Sequence, residues 1–404
     1  MPLPKTAKIA AIVGSGPRAT GFVMKFLKLF CGFGFVVVLA SNLWSMSRWS
    51  EARGVYDDIC YLRQAHLFQK FGLVGLNTDI SRDDDHYLSS KLKEIGFPTW
   101  SDPATAPCHN LMPATKKLVV QYPPGTGFLL SLFPQGFQVI PLYVIASIVV
   151  FGFALAAISC ASTIPSLILA AAFGGAAIYL MINPAKASYS IAPTMVVCAL
   201  AGFLTASLFL AKQPRDRLLL TGIVGLVIGL AVNFRLPNLF LSSGYFVFFF
   251  VAFLLFRKME AVLQGAVFGV AFLVGMTPTL VANAINAGSP LSTTYGAVDV
   301  TPPELSFGVI WSYLADLQFV LLVLAGVWTV VMLRRPGDNA ARQTALVTAA
   351  NLLVNLTFFL THPVFTPYYT IPVAMLSLWS LLFAVLMAPA EAVDDRLVGQ
   401  AARV

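Results

Sequence analysis

Ten apolar segments, each close to 20 residues long, recur along this chain of 404 residues. A helix needs roughly 20 apolar residues to cross the hydrocarbon core of a bilayer, because it rises only about 1.5 Å per residue. Long, continuous apolar runs of this kind predict membrane-spanning α-helices. The predicted spans lie near 26–46, 138–159, 164–183, 191–211, 217–233, 237–256, 261–284, 317–333, 343–361 and 371–388.

The composition also indicates a membrane protein. Hydrophobic residues make up 58% of the chain and charged residues only 11%, whereas soluble domains average about 25% charged residues. This composition excludes a soluble enzyme, a disordered scaffold and a disulfide-rich secreted module. The formal net charge is +8, but the sequence contains no nucleic-acid-binding motif, and no nucleic-acid partner is expected.

Lysine and arginine residues predict the orientation of the spans. Loops on the cytoplasmic side of a membrane collect basic residues, which predicts that the N-terminal segment 1–25 and the tail 389–404 are both cytoplasmic. Fifteen of the 26 basic residues then lie inside, and the short outside loops hold only two. The predicted protein therefore has a first transmembrane helix at 26–46 and helices two to ten within 138–388.

The segment 47–137 is predicted to lie outside, between the first two spans. It contains nine of the 18 acidic residues and three of the four histidines. A loop this long, with so many ionisable groups, is more than a connector. Residues 56–65 predict a helix at the membrane surface, because apolar side chains follow one of its faces. Residues 122–125, Tyr-Pro-Pro-Gly, predict a rigid turn before an interfacial helix.

Two motifs in this segment carry a resemblance to a known family. Asp57-Asp58-Ile-Cys-Tyr-Leu-Arg-Gln-Ala65 follows the first span, and Tyr122-Pro-Pro-Gly125 precedes the second. Their order and their side of the membrane resemble the GT-C fold glycosyltransferases. The most similar subgroup uses polyprenyl-phosphate-linked sugars and includes bacterial aminoarabinose, mannosyl and lipopolysaccharide-core sugar transferases. Weaker similarities follow in the stretches 229–235 and 286–296.

The chain also departs from the family pattern. Many relatives carry an Arg-Tyr pair near the start of the last span. The matching stretch here, residues 366–372, reads Thr-Pro-Tyr-Tyr-Thr-Ile-Pro and has no arginine. The identity of the acceptor therefore stays open.

The resemblance implies an all-α, polytopic membrane enzyme of the GT-C type. It would be an inverting transferase that moves a hexose or pentose from a polyprenyl-phosphate donor to a cell-envelope glycan or glycolipid. The active site would face the periplasm at the inner membrane, under the long first loop. Displacement at the anomeric carbon needs one carboxylate as base, and a cation or metal to stabilise the departing phosphate.

Two other functions remain open at this point. A lipid-linked-sugar flippase or transporter would share the topology and need no catalytic carboxylate, although no internal repeat of the kind common in transporters is present. A non-catalytic membrane subunit that binds only a lipid or a partner is the third interpretation.

The resemblance assigns the base to Asp57, with Asp58 as the next candidate. The alternative is a helix N-cap pair on a solvated surface. Arg235 is the candidate phosphate ligand, because arginine matches phosphate oxygens well; the alternative is an arginine that extends to the membrane interface. Lys116 and Lys117 are assigned a supporting role at the phosphate, against a solvated loop pair.

The remaining candidates are substrate contacts, a cation site and a disulfide. Clustered carboxylates suit a divalent cation, which makes Asp83 and Asp85 weak metal candidates, against a solvated acidic turn. No other cofactor is implied. Cys60 and Cys108 lie on the oxidising side in this topology, so they are either disulfide-bonded or two unpaired thiols. The substrate contacts are assigned to Tyr61, His109, Tyr122, Tyr295 and His362, and each histidine alternatively serves as an interfacial side chain with a local partner.

Overall fold

The structure is a computed structural model of the chain, and it describes residues 21–51, 56–102, 105–182, 188–257, 259–296, 302–335, 338–362 and 367–388. The side chains of residues 56, 57, 256 and 367 lie outside this description. The predicted cytoplasmic tail and the first 20 residues also lie outside the described residues.

The described residues form 14 α-helices and one two-stranded hairpin. In chain order the helices are α1 (Gly21–Met46), α2 (Tyr56–Phe71), α3 (Tyr87–Glu94), α4 (Gly125–Ser131), α5 (Val139–Cys160), α6 (Ile164–Leu180), α7 (Ile191–Leu210), α8 (Pro214–Val232), α9 (Ser243–Phe256), α10 (Met259–Ala287), α11 (Phe307–Ala315), α12 (Phe319–Leu333), α13 (Asn339–Thr361) and α14 (Thr370–Leu386). The strands are β1 (His109–Leu111) and β2 (Leu118–Val120), paired antiparallel with His109 opposite Val120.

The predicted spans all coincide with helical structure, and the chain is an all-α, multi-pass membrane protein. In the part of the chain that the structure describes, six helical segments are long and apolar enough to cross a bilayer, or seven if the bent pair α11 and α12 counts as one span. They are α1, α5, α7, Leu236–Leu255, α10 and α13. α6 and α14 are apolar but shorter, so the number of ten spans stays a prediction.

The last helix forms the centre of the membrane region. Every residue of α14 except Val385 is buried, and Trp379 has no exposed surface. A Cβ atom added to Gly202 of α7 would lie 2.5 Å from the Cβ atom of Trp379. The two helices therefore touch almost backbone to backbone, as small residues allow in membrane proteins.

An asparagine side chain joins the end of α8 to the turn of α10 that contains Pro278. Pro278 lacks the N–H of a regular helical residue and interrupts the ladder of α10. At this point Asn233 Oδ1 accepts from the backbone N–H of Thr279 at 2.9 Å, and Asn233 Nδ2 donates to the carbonyl of Gly275 at 2.8 Å. The amide bridges two backbone groups that would bond to each other in an unbroken helix, so this turn of α10 is fixed to the C-terminal end of α8.

Residues 47–51, 56–102 and 105–137 form a small folded unit, here called the cap unit, over the helix ends. Its centre is α2, in which every residue from 58 to 64 is buried, not only those of the predicted apolar face. Ile59, Leu62 and Ala65 are buried, and so are the polar residues Arg63 and Gln64. The predicted apolar face of α2 is therefore buried in the protein, the neighbouring polar side chains are buried as well, and the position of this helix at the membrane surface stays a prediction.

Candidate functional site

A cavity of about 620 Å³ lies between the cap unit and the ends of α8, α10 and α13. This volume falls in the range of small-molecule sites, roughly 300–1,000 Å³. Its walls combine aromatic, aliphatic and a few polar side chains. They are Tyr61, Gln121, Tyr122, Ser188, Arg235, Leu236, Pro237, Leu239, Phe240, Met276, Thr279, Leu280, Asn283, Pro290, Leu291, Thr293, Tyr295, Phe358, His362, Tyr368 and Tyr369.

Five of the residues singled out by the sequence line this one cavity. They come from five separate parts of the chain, and they are Tyr61, Tyr122, Arg235, Tyr295 and His362. The rings of Tyr61 and Tyr122 stack with centroids 4.8 Å apart, and Tyr295 meets Tyr122 edge-on at 6.2 Å. These three tyrosines form a connected aromatic wall on the cap side of the cavity.

The Tyr-Pro-Pro-Gly turn is held directly against the chain that precedes Arg235. The backbone N–H of Gly125 donates to the carbonyl of Asn233 at 2.7 Å, and a Cβ atom at Gly125 would lie equally close to that oxygen. The hydroxyl of Thr126 donates to the carbonyl of Phe234 at 3.2 Å. Glycine is therefore needed at 125 for the close approach, and this contact brings Tyr122 and Arg235 to one cavity.

Arg235 is a nearly buried cation in the cavity wall. It is 7% exposed, and its guanidinium carbon lies 4.6 Å from the ring centre of Tyr368 and 4.8 Å from that of Tyr369. Among the described residues, no carboxylate lies within ion-pairing distance of Arg235. The aromatic faces stabilise the cation but leave its hydrogen-bond donors for another group.

Sequence reasoning missed Tyr368 and Tyr369 as site residues. The stretch 366–372 stood out only because it lacks the arginine of related proteins. In the structure the rings of its two tyrosines contact the guanidinium group of Arg235, which comes from a distant part of the chain. The missed signal was the pair of adjacent aromatic residues at the start of an apolar helix.

The two candidate bases differ in their surroundings. The carboxylate of Asp58 is buried and accepts a hydrogen bond from the backbone N–H of Tyr189 at 3.0 Å. The side chain of Asp57 lies outside the described residues, but its backbone belongs to α2. Residue 57 lies one helical turn before Tyr61 in α2, and Tyr61 lines the cavity.

Three other candidates lie away from the cavity lining. Lys117 Nζ donates to the carbonyl of Ile285 at 2.8 Å, and Lys116 occupies a left-handed position, φ 56°, in the hairpin turn. His109 is the first residue of β1 and meets the buried side chain of Arg63. The structure therefore does not bring these residues to the other candidates.

His109 and Arg63 form a polar centre inside the cap unit. Arg63 Nη1 lies 2.9 Å from His109 Nε2, and His109 Nδ1 lies 2.7 Å from the carbonyl of Pro107. The ring therefore donates from Nδ1 and accepts at Nε2. Burial lowers the pKa of His109 to about 3, and the charge of Arg63 adds to this effect. His109 is neutral at physiological pH and packs the cap unit rather than the cavity.

This lowered pKa predicts an acid-sensitive cap unit. The unfolded chain protonates His109 below pH 6.5 while the folded chain stays neutral, so stability is full above about pH 6.5 and falls towards pH 3 by up to about 1.4 kcal/mol per pH unit. His109→Gln is expected to flatten this dependence when the unfolding midpoint is measured between pH 7 and 4. His86→Asn, at an exposed histidine, is the control and should keep the wild-type slope; an unchanged slope in His109→Gln would contradict the assignment.

A disulfide joins α2 to the hairpin. Cys60 and Cys108 are bonded, with Cα atoms 6.6 Å apart. This bond ties the helix that carries Asp57 to the strand that begins at His109. Among the described residues, the group formed by these two sulfurs and His109 is the one set of three with metal-ligand spacing, and its sulfurs are used by the disulfide.

The acidic cluster of the cap unit is an ion-pair network. The carboxylate of Asp83 accepts from the backbone N–H of Leu88 at 3.0 Å, and Asp85 accepts from His66 at 2.7 Å and from Lys70 at 3.1 Å. Lys70 also bonds Asp84, and this hydrogen bond holds the pKa of Asp84 below its usual value. A lysine ammonium inside the cluster does not fit a divalent cation at Asp83 and Asp85.

The fold and the cavity define a class: an all-α, multi-pass membrane protein with an arginine-bearing cavity beneath a folded cap unit. Comparison of the chain with protein-family models gives no match. Comparisons with curated proteins and with solved structures give no match either.

Proposed function

We propose that this protein is an inverting glycosyltransferase that moves a sugar from a polyprenyl-phosphate donor to an envelope glycan or glycolipid. The observation that carries the proposal is Arg235, a cation 7% exposed and facing a cavity. Most of the remaining wall is apolar, including Leu239, Phe240, Met276 and Leu280. A lipid phosphate combines an anion with an apolar chain, and it therefore matches both properties of the cavity.

The aromatic wall of the cavity suits the sugar of such a donor. Sugar rings present C–H faces that pack on aromatic side chains, and their hydroxyls bond to polar groups at the ring edges. Tyr61, Tyr122 and Tyr295 offer both kinds of contact, and His362 also lines the cavity. The sugar would then lie between these rings and Arg235.

The proposed reaction is a direct displacement at the anomeric carbon. The acceptor hydroxyl oxygen forms a bond to that carbon while the bond from the carbon to the phosphate oxygen breaks. The electron pair leaves with the phosphate, whose charge Arg235 stabilises, and the hydroxyl proton passes to the carboxylate of Asp57. The products are the glycosylated acceptor, with inverted configuration, and polyprenyl phosphate. On the predicted topology this occurs at the periplasmic face of the inner membrane.

Mass spectrometry of envelope glycolipids and polysaccharides tests the proposal. A deletion strain is compared with strains that carry the wild-type protein, Arg235→Gln or Arg82→Gln at matched expression. Arg82 also stacks on an aromatic ring, that of Phe71 at 4.9 Å, but lies outside the cavity lining, so Arg82→Gln is the matched control. Arg235→Gln should also weaken the binding of polyprenyl phosphate to the purified protein by on the order of 100-fold, because loss of a buried charged partner costs about 3 kcal/mol.

One sugar mass should disappear in the deletion strain and return with the wild-type protein and Arg82→Gln, but not with Arg235→Gln. An unchanged envelope in the deletion strain would contradict the proposal. Sugar transfer by the purified protein in detergent, where no membrane separates two sides, distinguishes the enzyme from a flippase. A flippase would show no transfer there.

A further inference from the structure

Helix α11 exposes a continuous apolar stripe. Phe307 is 87% exposed, Trp311 71% and Leu314 51%, and their spacing of four and three residues places them on one helix face. The nine residues of α11 include no charged side chain. An unpartnered stripe of this kind marks contact with something apolar.

The other face of α11 is fixed to the protein. Tyr313 is 1% exposed, and the backbone N–H of Glu304, just before the helix, donates to the carbonyl of Thr361 at 2.7 Å. Thr361 ends α13 and precedes His362, a residue of the cavity wall. α11 is therefore anchored beside the cavity, and only its apolar stripe remains uncovered.

The angle between α11 and α12 sets their orientation in a bilayer. The two helices meet at 83° across a break of three residues. α12 is apolar, exposes Val323 and Val327, and ends just before Arg334 and Arg335. If α12 runs across the bilayer with these arginines at one boundary, α11 lies parallel to the membrane plane at the other end.

The length of α12 sets the depth of α11. Its 15 residues rise about 22 Å, whereas the hydrocarbon core is about 30 Å thick. α11 then lies about 8 Å inside the core boundary. In-plane helices insert their apolar faces about 5–10 Å into that boundary, and tryptophan is enriched there, which agrees with the exposure of Trp311.

We propose that α11 is an in-plane membrane helix whose Phe307, Trp311 and Leu314 stripe is covered by lipid acyl chains, and that α12 alone forms the span. The stripe is continuous with the exposed face of α12 that begins at Val320, so the same lipid layer covers both. This assignment is independent of the proposed sugar transfer.

Spin-label accessibility in vesicles of phosphatidylcholine and phosphatidylglycerol tests this arrangement. Single labels are placed at F307C, W311C and L314C in a full chain whose free cysteines, Cys31, Cys160 and Cys198, are replaced by Ala. V327C is the control inside the span, and S90C, at an exposed position of α3, is the control in water. Labels on α11 should collide several-fold more often with oxygen than with a water-soluble nickel complex.

The depths of the spin labels in the bilayer distinguish an in-plane α11 from an α11 that forms half of a broken span. An in-plane helix gives labels at 307 and 314 the same depth within a few ångströms. If α11 were half of a broken span, the seven residues between them would produce a depth difference of about 10 Å, and the proposal would be overturned. Nickel accessibility equal to that of S90C at all three positions would also overturn it, because the stripe would then face water.

Discussion

Replacing Asp57 by Asn is expected to slow sugar transfer by about 10²–10⁴-fold, the usual contribution of a general base, while donor affinity stays near the wild-type value. The amide has nearly the same shape but cannot accept the acceptor proton. Asp57 lies one helical turn before Tyr61, whose ring lines the cavity. Single-turnover transfer and donor binding, measured on purified protein, separate the two effects.

Asp58→Asn is the matched comparison for this prediction. Asp58 is buried and accepts a hydrogen bond from the backbone N–H of Tyr189, and the oxygen of an asparagine can accept the same bond. The folded Asp58→Asn protein should therefore transfer sugar at close to the wild-type rate. The reverse pattern, with Asp57→Asn active and Asp58→Asn inactive, would assign the base to Asp58. Full activity in both variants would remove this pair from the mechanism.

Arg63→Met is expected to destabilise the cap unit by about 3–5 kcal/mol, because three buried hydrogen-bond acceptors lose their donor at roughly 1–3 kcal/mol each. Arg63 has no exposed surface and donates to the carbonyls of Thr78 at 2.7 Å and Asp79 at 2.9 Å. Its third partner is His109. All three acceptors would lose this donor, and methionine supplies no replacement.

Hydrogen exchange measured by mass spectrometry provides the readout for Arg63. Peptides from α2 and from the hairpin should exchange much faster in Arg63→Met, while peptides from α14 should not change. Arg82→Met, in which the replaced arginine stacks on the half-buried ring of Phe71, should behave like the wild-type protein. Unchanged protection of α2 in Arg63→Met would show that the buried arginine contributes little to the fold.

The sequence was most informative about the membrane spans, because local hydrophobicity alone decides where they form. Each predicted span coincides with helical structure, because transfer into lipid depends mainly on the side chains within one 20-residue window. α11 escaped prediction because nine residues are too few for a span. The sequence showed the apolar face of α2 but not the burial of Arg63 and Gln64, because their partners His109 and Tyr122 lie far along the chain.

The grouping of the candidate residues depended on packing. Tyr61, Tyr122, Arg235, Tyr295 and His362 stood out singly in the sequence and lie around one cavity in the structure. The cavity lining does not include three other residues that the sequence analysis assigned to the same site: Lys116, Lys117 and His109. No spacing along the chain separates these two sets, because the contacts of Asn233 with Gly125 and with the turn of α10 around Pro278 bring distant segments together.

By itself, the sequence determined that this chain is apolar and forms membrane-spanning helices. It also indicated that the polar segment 47–137 contributes to the candidate site. Those properties follow from the composition of short windows, in which each residue contributes almost independently. Only the tertiary structure decided that Arg235 rests on Tyr368 and Tyr369, that Asp58 is buried against Tyr189, and that α11 turns away from α12. Such contacts join residues far apart in the chain, and their geometry depends on the packing of all the helices between them.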